Sequence, residues 1–203
     1  MYGVIQFLPF NIFAWLSKSE DGPFQWLQFV FYLIAGLCGC VLAFGPVGRH
    51  GLRRSGLQRW GWLLFGVLFL LVAGEEISWG ERLTHVGIDA IRSMNSQGET
   101  TVHNIPAVQN YLHLAYILIS LFAGWLGWRF WPGVRVLPAK KLSLYFLPVA
   151  LFYAYFDLSW ITLGERIPNH QEVFELLLAL GMARHGWAAV AERPGAPPAG
   201  SPS

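Results

Sequence analysis

Long apolar runs, separated by short polar segments, dominate the pattern along the chain. A transmembrane helix needs about 20 mostly apolar residues, and four runs supply them: residues 24–44, 61–79, 111–131 and 142–163. A further run, residues 173–190, is shorter and carries Glu175, Arg184 and His185, whose polar groups would face protein or reach the membrane surface. The pattern predicts an all-α polytopic membrane helix bundle with about five transmembrane helices.

The two ends of the chain differ from these runs. Residues 1–16 are rich in aromatic side chains and lack the basic start of a cleaved signal, so they predict an N-terminal interfacial helix. Residues 193–203 are rich in Pro, Gly, Ala and Ser, which is typical of a disordered tail. We therefore expect a single transmembrane helix-bundle domain over residues 1–192, followed by a disordered tail over residues 193–203.

Composition supports the membrane interpretation. Apolar residues make up 54% of the chain and charged residues only 13%, whereas soluble domains carry about 25% charged residues. The net charge of +2 is small and the basic residues form no stripe, so nucleic acid is not an expected partner. The lipid bilayer is the expected environment.

Basic residues indicate the orientation of the bundle. Ten of the 14 Lys and Arg residues fall in the loops after the first and third runs or at the C-terminal end, and four fall in the opposite loops. Positively charged loops stay in the cytoplasm. The sequence thus predicts an outside N-terminus and a cytoplasmic C-terminus.

Acidic residues gather at the end predicted to lie outside. Eleven of the 12 Asp and Glu residues fall there, many of them in or beside the long loop over residues 82–108. A structureless loop of that length is uncommon. We expect this loop to fold over the bundle as an outer cap that contains at least one short helix.

One motif occurs twice in the chain. Residues 76–82 are EISWGER, and residues 157–160 are DLSW with GER following at residues 164–166. Each copy is followed by an Ile-Pro step that leads into an apolar run, at Pro106 and Pro168. The second and third spans would then repeat as the fourth and fifth, in the same direction through the membrane.

The repeated motif places ionisable side chains inside apolar spans, which marks a functional site. Glu76 and Asp157 occupy matching positions, and Glu75 precedes the first. Such carboxylates suit general acid and base roles or metal binding, so the candidate catalytic residues are Glu76, Asp157 and Glu75. Two arginines for an anionic group and two tryptophans as pocket walls are candidates for substrate binding: Arg82, Arg166, Trp79 and Trp160.

Carboxylate and imidazole side chains recur at a spacing of four residues in and before the loop. If Glu81 to His85 and Glu99 to His103 were helical, each pair would point in one direction and suit a divalent metal ion. With one further histidine, the candidate metal ligands are Glu81, His85, Glu99, His103 and His170. The alternative is a hydrogen-bond network of His85, Glu99, His103 and Asn104 that holds the loop in place.

The segment EEISWGER at residues 75–82, followed by Asn95, Gln97, Glu99, His103 and Asn104, resembles a group of bacterial integral membrane proteins. That group carries an EEISWG-x-R segment and a following N-x-Q-x-E…HN loop. The resemblance covers most of residues 20–104. It implies a location in the bacterial inner membrane and no particular activity.

Three functions fit these features. The first is a small membrane enzyme, assisted by a metal ion at the ligands named above, that acts on a lipid-like or membrane-embedded substrate at an outward-facing carboxylate and histidine site. The second is a non-catalytic accessory or scaffold subunit whose acidic outer face binds a partner membrane protein. The third is a proton-coupled transporter that uses the buried acids as a relay.

Overall fold

The computed structural model describes residues 10–17, 22–45, 56–95, 98–159 and 166–192. All regular structure in these residues is helical. We number the α-helices in chain order: α1 Phe10–Leu16, α2 Pro23–Phe44, α3 Gly56–Glu76, α4 Glu81–Thr84, α5 Asp89–Arg92, α6 Pro106–Leu121, α7 Gly127–Phe130, α8 Ser143–Ser159 and α9 Arg166–Ala191. A π-helical turn, Phe122–Leu126, joins α6 and α7 into one rod.

Within the described residues, four helical segments are long and apolar enough to cross a membrane: Pro23–Phe44, Gly56–Glu76, Tyr111–Phe130 and His170–Ala191. The expectation of about five spans is confirmed only to this extent. The run over residues 142–163 forms α8, which has 17 residues and is about 25 Å long at 1.5 Å per residue. Residues 160–165 lie outside the described part of the chain, as do residues 1–9 and the expected tail.

The long helices pack in the order α3, α2, α9, α8, α6, each against the next. One apolar core joins them, and its most buried side chains include Ala35 of α2, Phe69 of α3, Phe146 and Val149 of α8, and Ala179 of α9. The core therefore follows the row of helices. It places the ends of α3 and α8 beside the starts of α2, α6 and α9.

The contact between α2 and α3 depends on glycine. A Cβ atom on Gly39 would lie 2.6 Å from the backbone of Gly66, and one on Gly36 would lie 2.7 Å from the side chain of Leu70. Small residues allow such close approach between membrane helices, where van der Waals packing drives association. The two backbones are consequently in direct contact.

The short helix α1 lies against the start of α9. Phe13 is buried in a small cluster with Phe24, Val173 and Leu176, whereas Trp15 on the opposite side is 64% exposed. Of the expected interfacial helix, residues Phe10–Leu16 are helical and pack on the bundle through Phe13, residues 1–9 lie outside the described part of the chain, and the interfacial position stays a prediction.

The internal repeat is not confirmed. In the first copy α3 ends at Glu76 and α6 begins at Pro106, as the Ile-Pro step predicts. In the second copy, residues 160–165 and the side chains of Asp157 and Arg166 lie outside the described residues. The repeat stays a prediction.

Replacing Gly39 with Ala should destabilise the bundle by roughly 1–3 kcal/mol, because the added methyl group overpacks the contact with Gly66. Thermal unfolding in detergent, followed by tryptophan fluorescence, measures this as a lower Tm. Gly56→Ala is the matched control, since a Cβ atom there has no neighbour within 4 Å. Equal melting of the two variants would contradict the proposed helix contact.

Candidate functional site

A left-handed turn ends α3 and starts the loop. Ser78 and Trp79 have φ angles of 50° and 56°, and Gly80 has 82°. Two such non-glycine residues cost about 1–3 kcal/mol each, so surrounding contacts must compensate. Because α3 stops at Glu76 and this turn follows, Glu75 and Trp79 do not lie on one continuous helix.

Glu75 provides much of that compensation. One of its oxygens accepts hydrogen bonds from the backbone N–H groups of Val102 at 2.7 Å and His103 at 3.1 Å, and it lies 3.2 Å from Nδ1 of His103. The other accepts from Nε1 of Trp79 at 2.6 Å. Hydrogen bonds to a charged group contribute about 1.5–3 kcal/mol each, enough to offset the strain of the turn. A residue larger than glycine at Gly74 would meet the Trp79 ring at 2.9 Å.

Glu81 fixes the same loop from its other side. It accepts hydrogen bonds from the backbone N–H of Thr100 at 2.7 Å and from the Arg92 guanidinium. Hydrogen bonding to Thr100 and to Arg92 lowers the pKa of Glu81 from 4.5 to about 2. Because the pKa of the folded protein lies below the ordinary value, this contact is complete above pH 4.5 and is lost as pH falls toward 2.

Two further contacts complete the loop. The buried Ser78 hydroxyl donates to Glu99 at 2.8 Å, and the Asn95 amide donates to the backbone and hydroxyl oxygens of Thr101 at 2.7 Å. The carboxylates of Glu75, Glu81 and Glu99 therefore hold the loop in place by accepting hydrogen bonds from its backbone N–H and hydroxyl groups. We call residues 77–105 with these contacts the outer loop; it contains α4 and α5, so the expected short helix is present.

The candidate metal ligands do not meet. Within the described residues, no three His, Cys, Asp or Glu side chains come close enough to hold a metal ion. α4 ends at Thr84, so His85 lies in a left-handed position just beyond it. Glu99 and His103 lie outside any helix and contact different partners, Ser78 and Glu75. His170 lies on α9 with its ring 5.2 Å from that of Phe13.

A second group of polar residues lies inside the bundle, near the end that carries the outer loop. Its members come from α2, α3, α6, α8 and α9, and we call it the interior cluster: Gln28, Tyr32, Glu76, His113, Tyr116, Tyr153, Gln171, Glu172 and Glu175. Gln28, Tyr32 and Tyr153 are buried, and the other members are half-buried. These side chains meet because the five helices that carry them come together at this end of the bundle.

Tyr153 and Glu175 form the centre of the interior cluster. The Tyr153 hydroxyl donates to Oε1 of Glu175 at 2.6 Å, and Tyr153 has no exposed surface. The Tyr116 ring stacks on the Tyr153 ring at 4.7 Å. His113 lies 5.1 Å from the same ring, and its Nε2 is 3.1 Å from the side-chain nitrogen of Gln171.

Two more carboxylates border this centre. Gln28 donates from Nε2 to Oε2 of Glu172 at 2.8 Å. The charges of Glu76, Glu172 and Glu175 all reach the Tyr32 hydroxyl, and those of Glu76 and Glu175 also reach Tyr116. The interior cluster is therefore an acidic, aromatic-lined site in an apolar bundle.

The structure divides the sequence-predicted residues into three groups. Glu76 lies in the interior cluster, whereas Glu75 and Trp79 hold the outer loop. The side chains of four others lie outside the described residues: Arg82, Asp157, Trp160 and Arg166. Sequence reasoning missed Tyr153, Glu175 and Gln28 as site residues. Their polarity within apolar runs is a weak signal, because single polar residues are common in such runs.

Comparison with known proteins gives no relative. No protein-family model, curated protein or solved structure matches this chain. We therefore infer function from the geometry of the interior cluster and the outer loop.

Replacing Glu81 with Gln should loosen the outer loop, because an amide accepts the Thr100 N–H and the Arg92 guanidinium less strongly than a carboxylate does. Hydrogen exchange at pH 7 should then accelerate at least tenfold at the Thr100 amide. Asp89→Asn is the control: Asp89 is 97% exposed and lies 3.5 Å from the same Arg92. Unchanged exchange in Glu81→Gln would refute the anchoring role.

Proposed function

We propose that this chain is a small enzyme of the bacterial inner membrane that acts on a lipid-like substrate at the interior cluster. The observation that carries the proposal is the 2.6 Å hydrogen bond from the fully buried Tyr153 hydroxyl to Glu175. Ionisable side chains within a membrane bundle are costly, and they are typical of functional sites.

The chemistry suits proton transfer. A carboxylate that accepts a hydrogen bond from a tyrosine can exchange a proton with a bound substrate, and a nearby histidine can renew it. Glu175 is the base in this proposal, Tyr153 orients it, and His113 lies beside the tyrosine ring. Glu76, at the end of α3, adds negative charge to the cluster, consistent with its sequence-based assignment as a catalytic residue.

The membrane arrangement in this proposal has five spans. In addition to the four helical segments that are long enough to cross a membrane, it counts α8 as a span. α8 begins after the basic turn Lys140–Leu142, and its apolar run continues to residue 163. With five spans the interior cluster and the outer loop face outside, and the basic loops face the cytoplasm.

Cysteine labelling tests this orientation. In a variant with Cys38 and Cys40 replaced by Ala, Gln97→Cys should react with an impermeant maleimide in intact cells. Arg54→Cys should react only after the cells are opened. Labelling at position 54 but not at position 97 in intact cells would reverse the orientation.

Lipid turnover tests the activity. The purified protein is reconstituted into liposomes made from total bacterial polar lipids, and the lipid species are compared by mass spectrometry over time. Wild-type protein should consume at least one species. Glu175→Gln should slow this reaction at least 100-fold, since it removes the proposed base while it keeps the side-chain shape. Tyr153→Phe should slow it about tenfold or more.

The control is Glu192→Gln, an exposed acid at the far end of α9, which should retain wild-type turnover. Full activity in Glu175→Gln would remove Glu175 from the mechanism. No change in any lipid species with wild-type protein would contradict the enzyme proposal itself.

One observation favours a second candidate, a proton-coupled transporter. His113 links two hydrogen bonds: its Nε2 lies 3.1 Å from the side-chain nitrogen of Gln171, and its ring packs on that of Tyr153, whose hydroxyl donates to Glu175. Proton uptake into liposomes containing pyranine, lost in Glu175→Gln and without lipid turnover, would support this candidate. Absence of both activities would leave the accessory or scaffold subunit, which would bind its partner through the outer loop.

A further inference from the structure

The end of the bundle opposite the interior cluster carries a surface of exposed cations, which we call the basic face. Its members come from α7, the loop after it, the turn before α8 and the last part of α9: Arg129, Arg135, Lys140, Lys141 and Arg184. Residues 100–156 contain no Asp or Glu, and neither do residues 176–191 of α9; Glu192 follows them. The basic face therefore carries a large excess of positive charge.

Ring contacts and a hydrogen bond link the elements that carry these cations. The Lys140 ammonium lies 5.3 Å from the centre of the Trp128 ring, and Arg129 follows Trp128 in the chain. The Arg184 guanidinium donates to the Tyr145 hydroxyl at 2.6 Å. The end of α7 and the end of α9 thus both meet the start of α8.

The loop between α7 and α8 is fixed to the bundle, so the basic face is preformed. The Val136 carbonyl accepts a hydrogen bond at 3.0 Å from Nε2 of the buried His185. A Cβ atom on Gly61 of α3 would lie 3.0 Å from the Val136 side chain. Arg135 precedes Val136 and Arg184 precedes His185 in the chain, so this contact brings both arginines to one surface.

No carboxylate neutralises these cations within the described residues. Arg129, Lys140 and Arg184 contact aromatic rings, and the ion pairs of the described residues lie elsewhere, in the outer loop. Arg and Lys form their strongest hydrogen bonds with carboxylate and phosphate oxygens. The chemistry that fits the basic face is therefore an anion.

Exposed aromatic side chains at the same end indicate which anion. Phe130, Trp131 and Trp187 are each more than half exposed, and the helical segment Tyr111–Phe130, which is long enough to cross a membrane, ends here. Aromatic rings at the end of a span lie at the level of the lipid headgroups. Arg129, in the last turn of that segment, then lies at the depth of the phosphates, where clustered cations attract anionic lipids.

We propose that the basic face binds the phosphate of an anionic phospholipid from the adjoining membrane leaflet. Arg129, Lys140 and Lys141 hold the phosphate beside Trp128, and the exposed ring of Trp131 lies against the acyl chains. This inference is independent of the proposed function, because it involves the opposite end of the bundle and no residue of the interior cluster.

Native mass spectrometry of the full-length protein in an uncharged detergent tests the inference. The protein is titrated with palmitoyl-oleoyl phosphatidylglycerol, and the populations with no lipid and one lipid give the first Kd. Lys140→Gln combined with Lys141→Gln should weaken binding at least tenfold. Lys140→Arg combined with Lys141→Arg is the matched control and should bind as tightly as wild type, because it keeps both charges.

An unchanged Kd in the double Gln variant would overturn the site. Equal weakening in the double Arg variant would also overturn it, because the loss would then come from packing and not from charge. Gel filtration and circular dichroism check that each variant is folded. If the double Gln variant does not fold, Arg129→Gln replaces it, with the same expected direction.

Three other ligands test the source of the phosphate. Phosphatidylcholine with the same chains should bind at least tenfold more weakly, because its choline balances the phosphate charge. Glycerol phosphate should bind more weakly because it lacks acyl chains, and a short DNA duplex because its stacked bases do not contact the exposed rings. Equal binding of phosphatidylcholine would overturn the role of charge, and equal binding of either of the others would overturn the lipid as the ligand.

Discussion

A polar group below the membrane surface must find its partner inside the protein, and this constraint governs the acidic end of the bundle. Glu75 meets it with two backbone N–H groups and an indole N–H. Glu175 meets it with the hydroxyl of Tyr153. The outer loop and the interior cluster are two solutions to the same problem, one at the edge of the membrane and one within the helices.

The two solutions leave different chemistry available. Glu75 and Glu81 accept several hydrogen bonds each from groups that the fold cannot move without losing the loop. Such carboxylates are structural. Glu175 accepts a hydrogen bond from a tyrosine hydroxyl and is half-buried, and in the proposed enzyme it is the residue that exchanges a proton with the substrate. An acidic residue in a membrane helix is therefore best judged by what donates to it.

The helices could be predicted from the sequence because apolar runs of sufficient length leave little choice. The end of α3 could not: nothing before Gly80 breaks the helical pattern, and the left-handed turn at Ser78 and Trp79 forms only because the distant loop returns to Glu75. The interior cluster was missed for a related reason. Gln28 and Glu172 are 144 residues apart, and only the packing of α2 on α9 brings them together.

The glycine contact between α2 and α3 has a consequence for how a lipid would reach the protein interior. Because Gly36 and Gly39 leave no room for even a Cβ atom, no acyl chain fits between α2 and α3 where they touch. The rod that begins with α6 packs mainly on α8, and a Cβ atom on its Gly124 would lie 3.0 Å from Leu147 and from Phe146. In the proposed enzyme, an acyl chain would therefore enter between other helices of the row than these two pairs.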